Sequence, residues 1–309
     1  MLRHVRHILL ALVVLANAGG AARAAAPVVV ASILPLHSLL ANVMAGVGSP
    51  LLLMRPGSSP HNYVMRPSEA AMLAHADLVF WLGESGERIL LKPLSLPSGT
   101  ARRMVALLDQ PSIHPLALRP VGPWSGPARP APDRRSYLTD SHIWLDPEIA
   151  REIVAIMVAE LSRVDPSHAG VYAANGRRTD ARLVQLDATL RRRLEPVRDV
   201  PYMVYHEAFQ YFEQRYGLSD MGSVSDNSDI QPGARLIEAL KATIVKKQVR
   251  CLFVEPQFSS SLVRVLADGT KLRTGIVDPE GATLTPGPDA YFEMMTTLGN
   301  SLASCLAAR

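Results

Sequence analysis

Four residues of types that bind metal ions stand near the ends of predicted strands. His61 follows the second predicted strand after a short loop, and His142 precedes the run Ile-Trp-Leu-Asp-Pro. His206 ends the run Tyr-Met-Val-Tyr, and Asp278 follows Thr-Gly-Ile-Val. Ligands of open parallel sheets bind beyond the carboxyl ends of the strands, so these four side chains are candidates for one shared site. Three imidazoles and one carboxylate form a donor set that suits tetrahedral zinc.

The spacing of the four residues is not in itself a metal-binding motif, because they stand 81, 64 and 72 residues apart. A histidine at a strand end is by default a hydrogen-bonded polar residue, and an aspartate before proline is often a turn former. Two acidic residues close to the same strand ends, Glu207 and Glu255, are expected to be solvated or to cap helices. The other histidines beyond residue 26 are not expected to bind metal: His37, His75, His114 and His168.

A zinc hydrolase is the main enzymatic alternative. A catalytic zinc ion keeps three protein ligands and a water molecule beside a general base, a position that Glu207 could nominally fill. Asp278 as a fourth ligand would close such a site, and the chain has no His-Glu-x-x-His helix and no nucleophile elbow. We therefore expect a protein that binds its metal without catalysis.

Short apolar runs that alternate with helical patterns must position these residues. Strand-like runs in the first half are Val28–Ser32, Leu51–Met54 and Asp77–Leu82, and the alternation restarts near residue 202. Short buried strands separated by helices favour parallel βαβ units. Residues 167–194 lie between the two blocks and predict one long amphipathic helix, which can serve as a stiff linker. The pattern predicts an α/β protein of two lobes, each with a mostly parallel sheet flanked by helices.

The predicted division places an N-terminal lobe at 27–163, a linker helix at 164–197 and a C-terminal lobe at 198–309. Residues 111–137 interrupt the first lobe with seven prolines and little periodicity. Proline removes a backbone donor and fixes φ, so this segment is expected to be an exposed, flexible loop that joins neither a sheet nor a helix core.

Residues 1–26 have the pattern of a cleaved secretory signal peptide: a basic start, an apolar run over 8–18 and three alanines at 24–26. A first buried helix is the alternative. No cysteine lies near the cleavage site, so lipid attachment is not expected. The leader carries three arginines and no acid, so its removal takes the net charge from +4 to +1. A mature chain so close to neutrality gives no support for nucleic-acid binding. Because of the leader, we expect the mature chain in the periplasm.

The two cysteines, Cys251 and Cys305, are an even number in an oxidising compartment. Cys251 begins an apolar strand-like run, and Cys305 lies in the last helical stretch. A disulfide between them would tie that helix to its sheet and close a loop worth about 4 kcal/mol in the chain-entropy model. Two unrelated buried thiols are the alternative.

Five segments, in this order, resemble the metal-specific solute-binding proteins of ABC importers, and most closely their zinc-uptake members. They are His-Asn-Tyr-Val-Met-Arg-Pro-Ser (61–68), His-Ile-Trp-Leu-Asp-Pro (142–147), Tyr-His-Glu-Ala-Phe-Gln-Tyr-Phe (205–212), Ile-Gln-Pro-Gly-Ala (230–234) and Phe-Val-Glu-Pro-Gln-Phe (253–258). The likeness covers the whole mature chain. It implies two α/β lobes joined by one long rigid helix, with the metal between the lobes, and a monomer that delivers zinc to a permease of the inner membrane.

The resemblance also implies the ligands. His61, His142 and His206 match the three histidine ligands, and Asp278 matches the acidic fourth position, which some zinc members leave to water or to another carboxylate. The Cys251 and Cys305 positions resemble the disulfide of the zinc members. Sites for manganese use more oxygen ligands, so a histidine at position 206 favours zinc. The same fold carrying manganese or iron is the alternative cargo, and a surface adhesin of similar fold is a further one.

The chain departs from the zinc members at the proline-rich segment. Many of them have a loop rich in histidine and acids there, whereas this chain keeps only His114 and Asp133. We therefore do not expect this segment to collect zinc. Pro60 stands before His61, where it removes one carboxylate that could compete for the fourth position.

Overall fold

The computed structural model describes residues 25–58, 63–95, 103–123, 138–225, 233–256 and 260–308. The elements of the first half are β1 (Val29–Ala31), α1 (Leu34–Val43), β2 (Leu51–Leu52), α2 (Pro67–Ala74), β3 (Leu78–Trp81), α3 (Leu91–Ser95), β4 (Arg103–Ala106), β5 (Gly122–Pro123) and α4 (Pro147–Val164). Those of the second half are α5 (Ala169–Leu194), β6 (Tyr202–His206), α6 (Gln210–Tyr216), β7 (Asp220–Ser225), α7 (Ala234–Lys246), β8 (Cys251–Val254), α8 (Ser260–Ala267), β9 (Arg273–Ile276) and α9 (Ala290–Ala307).

The N-terminal sheet has the strand order β2-β1-β3-β4, and all of its strands are parallel. In its centre Val30 pairs with Leu51 on one side and with Val79 on the other. Every residue of β1 and β3 is buried, as expected for strands of a parallel sheet that helices cover on both faces. The sequence prediction of parallel βαβ units is confirmed.

The C-terminal sheet has the order β5-β7-β6-β8-β9, in which only β5 is antiparallel. Strand β5 comes from the proline-rich segment, and it pairs Gly122 with Ser223 and Pro123 with Gly222. The prediction that 111–137 is a flexible loop that joins no sheet is therefore wrong for its first part. Residues 124–137 lie outside the described residues.

The position of β5 explains how proline enters a sheet. At an edge strand the missing N–H of proline can face away from the ladder, so Pro123 removes no inter-strand bond that the sheet needs. Its partner Gly222 has φ of +149°, and a Cβ there would lie 2.5 Å from the carbonyl oxygen of Gly122. Glycine on the inner strand thus permits the close approach of this edge.

Helix α5, with 26 residues, lies in the chain between the N-terminal sheet and strands β6 to β9 of the C-terminal sheet, and it is the predicted long helix. Its buried leucines (Leu183, Leu186, Leu190 and Leu194) follow the helical spacing that predicted it. The helix packs against α1 and α4 of the first half and against α9 at the end of the chain. At Gly299 an added Cβ would collide with Leu190, so glycine lets α9 lie close to α5. The bounds of the predicted lobes, 27–163, 164–197 and 198–309, stay a prediction.

The predicted disulfide is present between Cys251, the first residue of β8, and Cys305 of α9. Both cysteines are buried. The bond ties the last helix to the C-terminal sheet, as expected. Residues 1–24 of the predicted leader lie outside the described residues, and within the described ranges no helix is both long and apolar enough to cross a bilayer.

Candidate metal centre

The structure brings two of the predicted ligands, His142 and His206, side by side. His206 is the last residue of β6, at the carboxyl end of the C-terminal sheet, and His142 begins the single turn Ile143–Leu145 that precedes α4. Their ring centroids lie 5.3 Å apart and their planes cross at 79°. Both residues are buried, at 3% and 5% exposure, so two imidazoles from distant parts of the chain meet where solvent has little access.

A buried carboxylate faces the Nδ1 atom of each ring. Nδ1 of His142 lies 2.8 Å from Oδ1 of Asp140, and Nδ1 of His206 lies 2.8 Å from Oε1 of Glu255. A carboxylate in this position accepts the Nδ1 proton and thereby holds the tautomer whose Nε2 lone pair is available to a metal. Two such pairs at one place are typical of histidines that bind zinc.

The carboxylate of Asp140 is held in its charged form. Burial raises its pKa, but the bonds from His142 and from the amide of Gln210 outweigh that effect and leave the pKa below its ordinary value. A charged acceptor strengthens the bond from imidazole and raises the basicity of the opposite ring nitrogen.

The sequence pattern did not predict that Asp140 and Glu255 hold the two histidine rings. The expectation that Glu255 is solvated or caps a helix is wrong: it is 3% exposed and bonded to His206. The same expectation is wrong for Glu207, which is 1% exposed and paired with Arg119. The available signal was their position, since Glu255 directly follows β8 and β8 is the neighbour of β6 in the sheet. Asp140 stands two residues before His142.

Asp278 stands just after β9 in a tight turn. Its Oδ1 atom accepts the backbone N–H groups of Gly281 at 2.8 Å and Glu280 at 3.2 Å. The next residue, Pro279, accepts the indole N–H of Trp144 at 2.7 Å, so the turn is bonded to the segment that begins at His142. The turn-forming role considered from sequence is therefore observed. One carboxylate oxygen takes part in it, and the other is not needed for the turn.

The predicted set of four is not assembled within the described part of the chain. There, no group of three or more His, Cys, Asp or Glu side chains lies close enough together to hold a metal ion. His61, the remaining predicted ligand, lies outside the described residues. His61 and Asp278 thus stay predicted ligands beside the observed His142–His206 pair.

The other histidines within the described ranges have different surroundings. Nε2 of His37 lies 3.2 Å from the carbonyl oxygen of Pro50, and burial lowers the pKa of this imidazole. His168 is bonded to Asp165 at the start of α5, while His75 and His114 are exposed.

Comparison with known proteins identifies the family. The family model described as ZnuA, the periplasmic component A of a zinc-uptake complex, matches residues 29–305. The chain belongs to the ZnuA family. Curated ZnuA relatives, named high-affinity zinc uptake system proteins, include that of Brucella abortus, 36% identical over 90% of this chain and 91% of the relative. The ZnuA of Yersinia pestis is 33% identical over 91% of this chain and 92% of its own length.

Solved structures agree in fold. A crystal structure of ZnuA has a TM-score of 0.77 at 21% identity, covering 91% of this chain and 99% of the other. A ZnuA deletion mutant with zinc bound has a TM-score of 0.76 at 22% identity, covering 92% and 99%. A laminin-binding adhesin from Streptococcus agalactiae reaches 0.75 at 20% identity, covering 91% and 99%. Because an adhesin and ZnuA share one fold, the fold alone does not decide the function. The family match and the site residues bear on that question.

Proposed function

We propose that this chain captures zinc ions in the periplasm, after removal of the leader 1–26, and delivers them to an ABC-type importer of the inner membrane. The observation that carries the proposal is the His142–His206 pair, in which each buried ring is bonded to its own carboxylate. Membership of a periplasmic zinc-uptake family supports the same conclusion.

The proposed ligands are His61, His142 and His206, with Asp278 or a water molecule in the fourth position. Three imidazole nitrogens are borderline ligands that suit zinc, whereas manganese prefers a site richer in oxygen. Asp278 can serve through the carboxylate oxygen that its own turn does not need. Zinc is the cargo of this site.

We propose further that the protein is not an enzyme. The only base that the sequence offered for a hydrolytic reaction was Glu207, and this carboxylate is bound to the guanidinium of Arg119 at 2.7 Å. A carboxylate that is 1% exposed and already bonded to arginine has little access to a water molecule that it would have to activate. The proposed partners are the zinc ion and the permease; the protein acts as a monomer and binds no nucleic acid.

Metal content and competitive titration of residues 27–309 with zinc, manganese and iron test the function. We expect preference for zinc, loss of high-affinity binding in His206→Ala, and roughly tenfold weaker binding in Glu255→Gln, which keeps the side-chain shape but removes the charge behind His206. His75→Ala, at an exposed histidine that precedes β3 and so stands before the amino end of that strand, is the matched control. Preference for manganese, or undiminished zinc binding in His206→Ala, would overturn the assignment.

Delivery is tested separately, with the permease reconstituted in vesicles. The zinc-loaded protein should lose its metal faster when the vesicles carry the permease than when they do not. Equal rates would refute delivery while leaving zinc capture intact.

A further inference from the structure

Residues 116–119, here called the strap, cross from the first half of the chain to α6 of the C-terminal lobe. The side-chain amide of Gln210 donates to the carbonyl oxygen of Ala117 and to Oδ2 of Asp140, both at 3.0 Å. Asp140 is the carboxylate that faces His142. A single amide therefore joins the strap to the group that orients one of the two site histidines.

A hydroxyl makes a second connection of the same kind. Tyr211 accepts the backbone N–H of Leu116 at 2.9 Å and donates to the carbonyl oxygen of Asp140 at 2.8 Å. Both Gln210 and Tyr211 are buried, so the bonds are protected from exchange with water.

Arg119, the last residue of the strap, enters a cluster of three buried carboxylates. Its guanidinium lies 2.7 Å from Glu207, 2.6 Å from Glu213 and 3.7 Å from Asp220. The carboxylate side chains are at most 4% exposed. Burial acts to lower the pKa of Arg119, but the three carboxylates outweigh it and raise that pKa above its ordinary value.

The cluster is covalently joined to the other site histidine, because Glu207 directly follows His206 at the end of β6. Loss of the guanidinium would take this hydrogen-bond donor away from the buried Glu207 carboxylate, a cost that favours movement of the backbone that carries it. A shift of about 1 Å in a metal ligand is enough to spoil a tetrahedral site. Arg119 is thus placed to control the position of His206 without touching the metal.

We propose that Arg119 is a positioning residue of the zinc site, which clamps the strap against the two segments that carry His142 and His206. The inference rests on the proposed function, since it concerns the same site. The proposal gives residues 116–119 of the proline-rich segment a role in shaping the site. The segment 111–137 itself has few histidine and acidic residues that could collect metal.

The test compares Arg119→Met with a matched control, Arg215→Met, in residues 27–309. Arg215 is 23% exposed against 18% for Arg119, and it also faces three carboxylates, Asp146, Glu148 and Asp187. Asp146 and Glu148 lie at the start of α4, and Asp187 lies in α5. The readouts are the thermal midpoint of the metal-free protein, the rate of zinc loss to a chelator, and the visible absorption spectrum of the cobalt-loaded protein, which reports ligand geometry.

We expect Arg119→Met to lose zinc roughly tenfold faster or more, and to show an altered cobalt spectrum. Arg215→Met should lower the thermal midpoint while leaving the release rate and the spectrum as in the parent. A purely structural role for Arg119 would lower its midpoint only, and that result would overturn the proposal. Equal acceleration of zinc loss in both variants would overturn it as well.

Should Arg119→Met fail to fold, Gln210→Met removes the amide bonds to the strap at Ala117 and to Asp140, and it carries the same expectation for release rate and spectrum. Failure of the proposed function is distinguishable, because the parent protein would then show no preference for zinc. A parent that binds zinc and loses it through His206→Ala, combined with unchanged release in Arg119→Met and Gln210→Met, would refute this inference alone.

Discussion

Buried carboxylates of this protein differ in their hydrogen-bond partners. Asp140 and Glu255 face imidazole nitrogens, and Glu207 faces a guanidinium. Glu87 is fully buried near the end of β3 and accepts the backbone N–H of Leu82 at 2.6 Å. That bond only partly offsets desolvation, and burial raises the pKa of Glu87 to about 7.

The raised pKa predicts how stability depends on pH. In the unfolded chain Glu87 titrates near its ordinary value of 4.5, while the folded protein keeps its proton up to about pH 7. Between these values the folded state binds the extra proton, so the free energy of unfolding falls as pH rises, by about 3 kcal/mol in total from this group. Glu87→Gln should remove that fall and be more stable than the parent above pH 7.

Chemical denaturation of the metal-free proteins between pH 4.5 and 8 measures the effect. Glu238→Gln, at an exposed position of α7, is the control and should follow the parent at every pH. Parallel curves for Glu87→Gln and the parent would contradict the prediction.

At the scale of elements, α9 holds the His142 segment from the far end of the chain. The hydroxyl of Tyr291 in α9 donates to the carbonyl oxygen of Trp144 at 2.7 Å, and the indole of Trp144 donates to Pro279 at 2.7 Å. Tyr291 and Trp144 are both fully buried. The turn that bears Asp278 and the turn that follows His142 are therefore bonded to each other, and α9 braces them.

Removing one hydroxyl should weaken this connection measurably. Tyr291→Phe leaves the ring in place but deprives a buried carbonyl oxygen of its donor, which is expected to cost about 1 to 3 kcal/mol of unfolding free energy. Urea denaturation should show a lower midpoint with an unchanged slope, since the surface exposed on unfolding stays the same. A midpoint equal to that of the parent would show that the bond contributes nothing.

At the scale of the whole molecule, the disulfide closes a loop of sequence separation 54 and anchors α9 to the C-terminal sheet. The double variant Cys251→Ala/Cys305→Ala should lose about 4 kcal/mol of unfolding free energy, chiefly because its unfolded chain is less restricted. Cys251 begins β8 and Glu255 follows its other end, so zinc affinity should stay within roughly twofold of the parent.

Guanidinium denaturation and zinc titration of the double variant provide both measurements, with the parent under reducing conditions as the control. Unchanged stability would contradict the chain-entropy argument. Greatly weakened zinc binding would show instead that the disulfide shapes the site.

Much of the fold could be predicted because its signals are local. The apolar runs of β1 and β3 and the helical spacing of Leu183, Leu186 and Leu190 are set by neighbours in sequence, and each identified its element. The place of His206 at the end of β6 followed from the same reasoning. Strand β5 was missed because proline content argues against a central strand, whereas an edge strand tolerates it.

The sequence by itself determined that histidines stand near the ends of parallel strands, and that residue type favours zinc among the divalent metals. Only the tertiary structure decided which charged group faces which. Glu255 reaches His206 because β8 pairs with β6. Arg119 reaches Glu207, 88 residues away in sequence, because β5 pairs with β7 at the edge of the sheet. Such pairings depend on strand order and on burial, which raises the free energy of any charge left without a partner, and neither is written in a local pattern. The His142–His206 pair that opened the case for a metal site is thus completed by groups that only folding brings together.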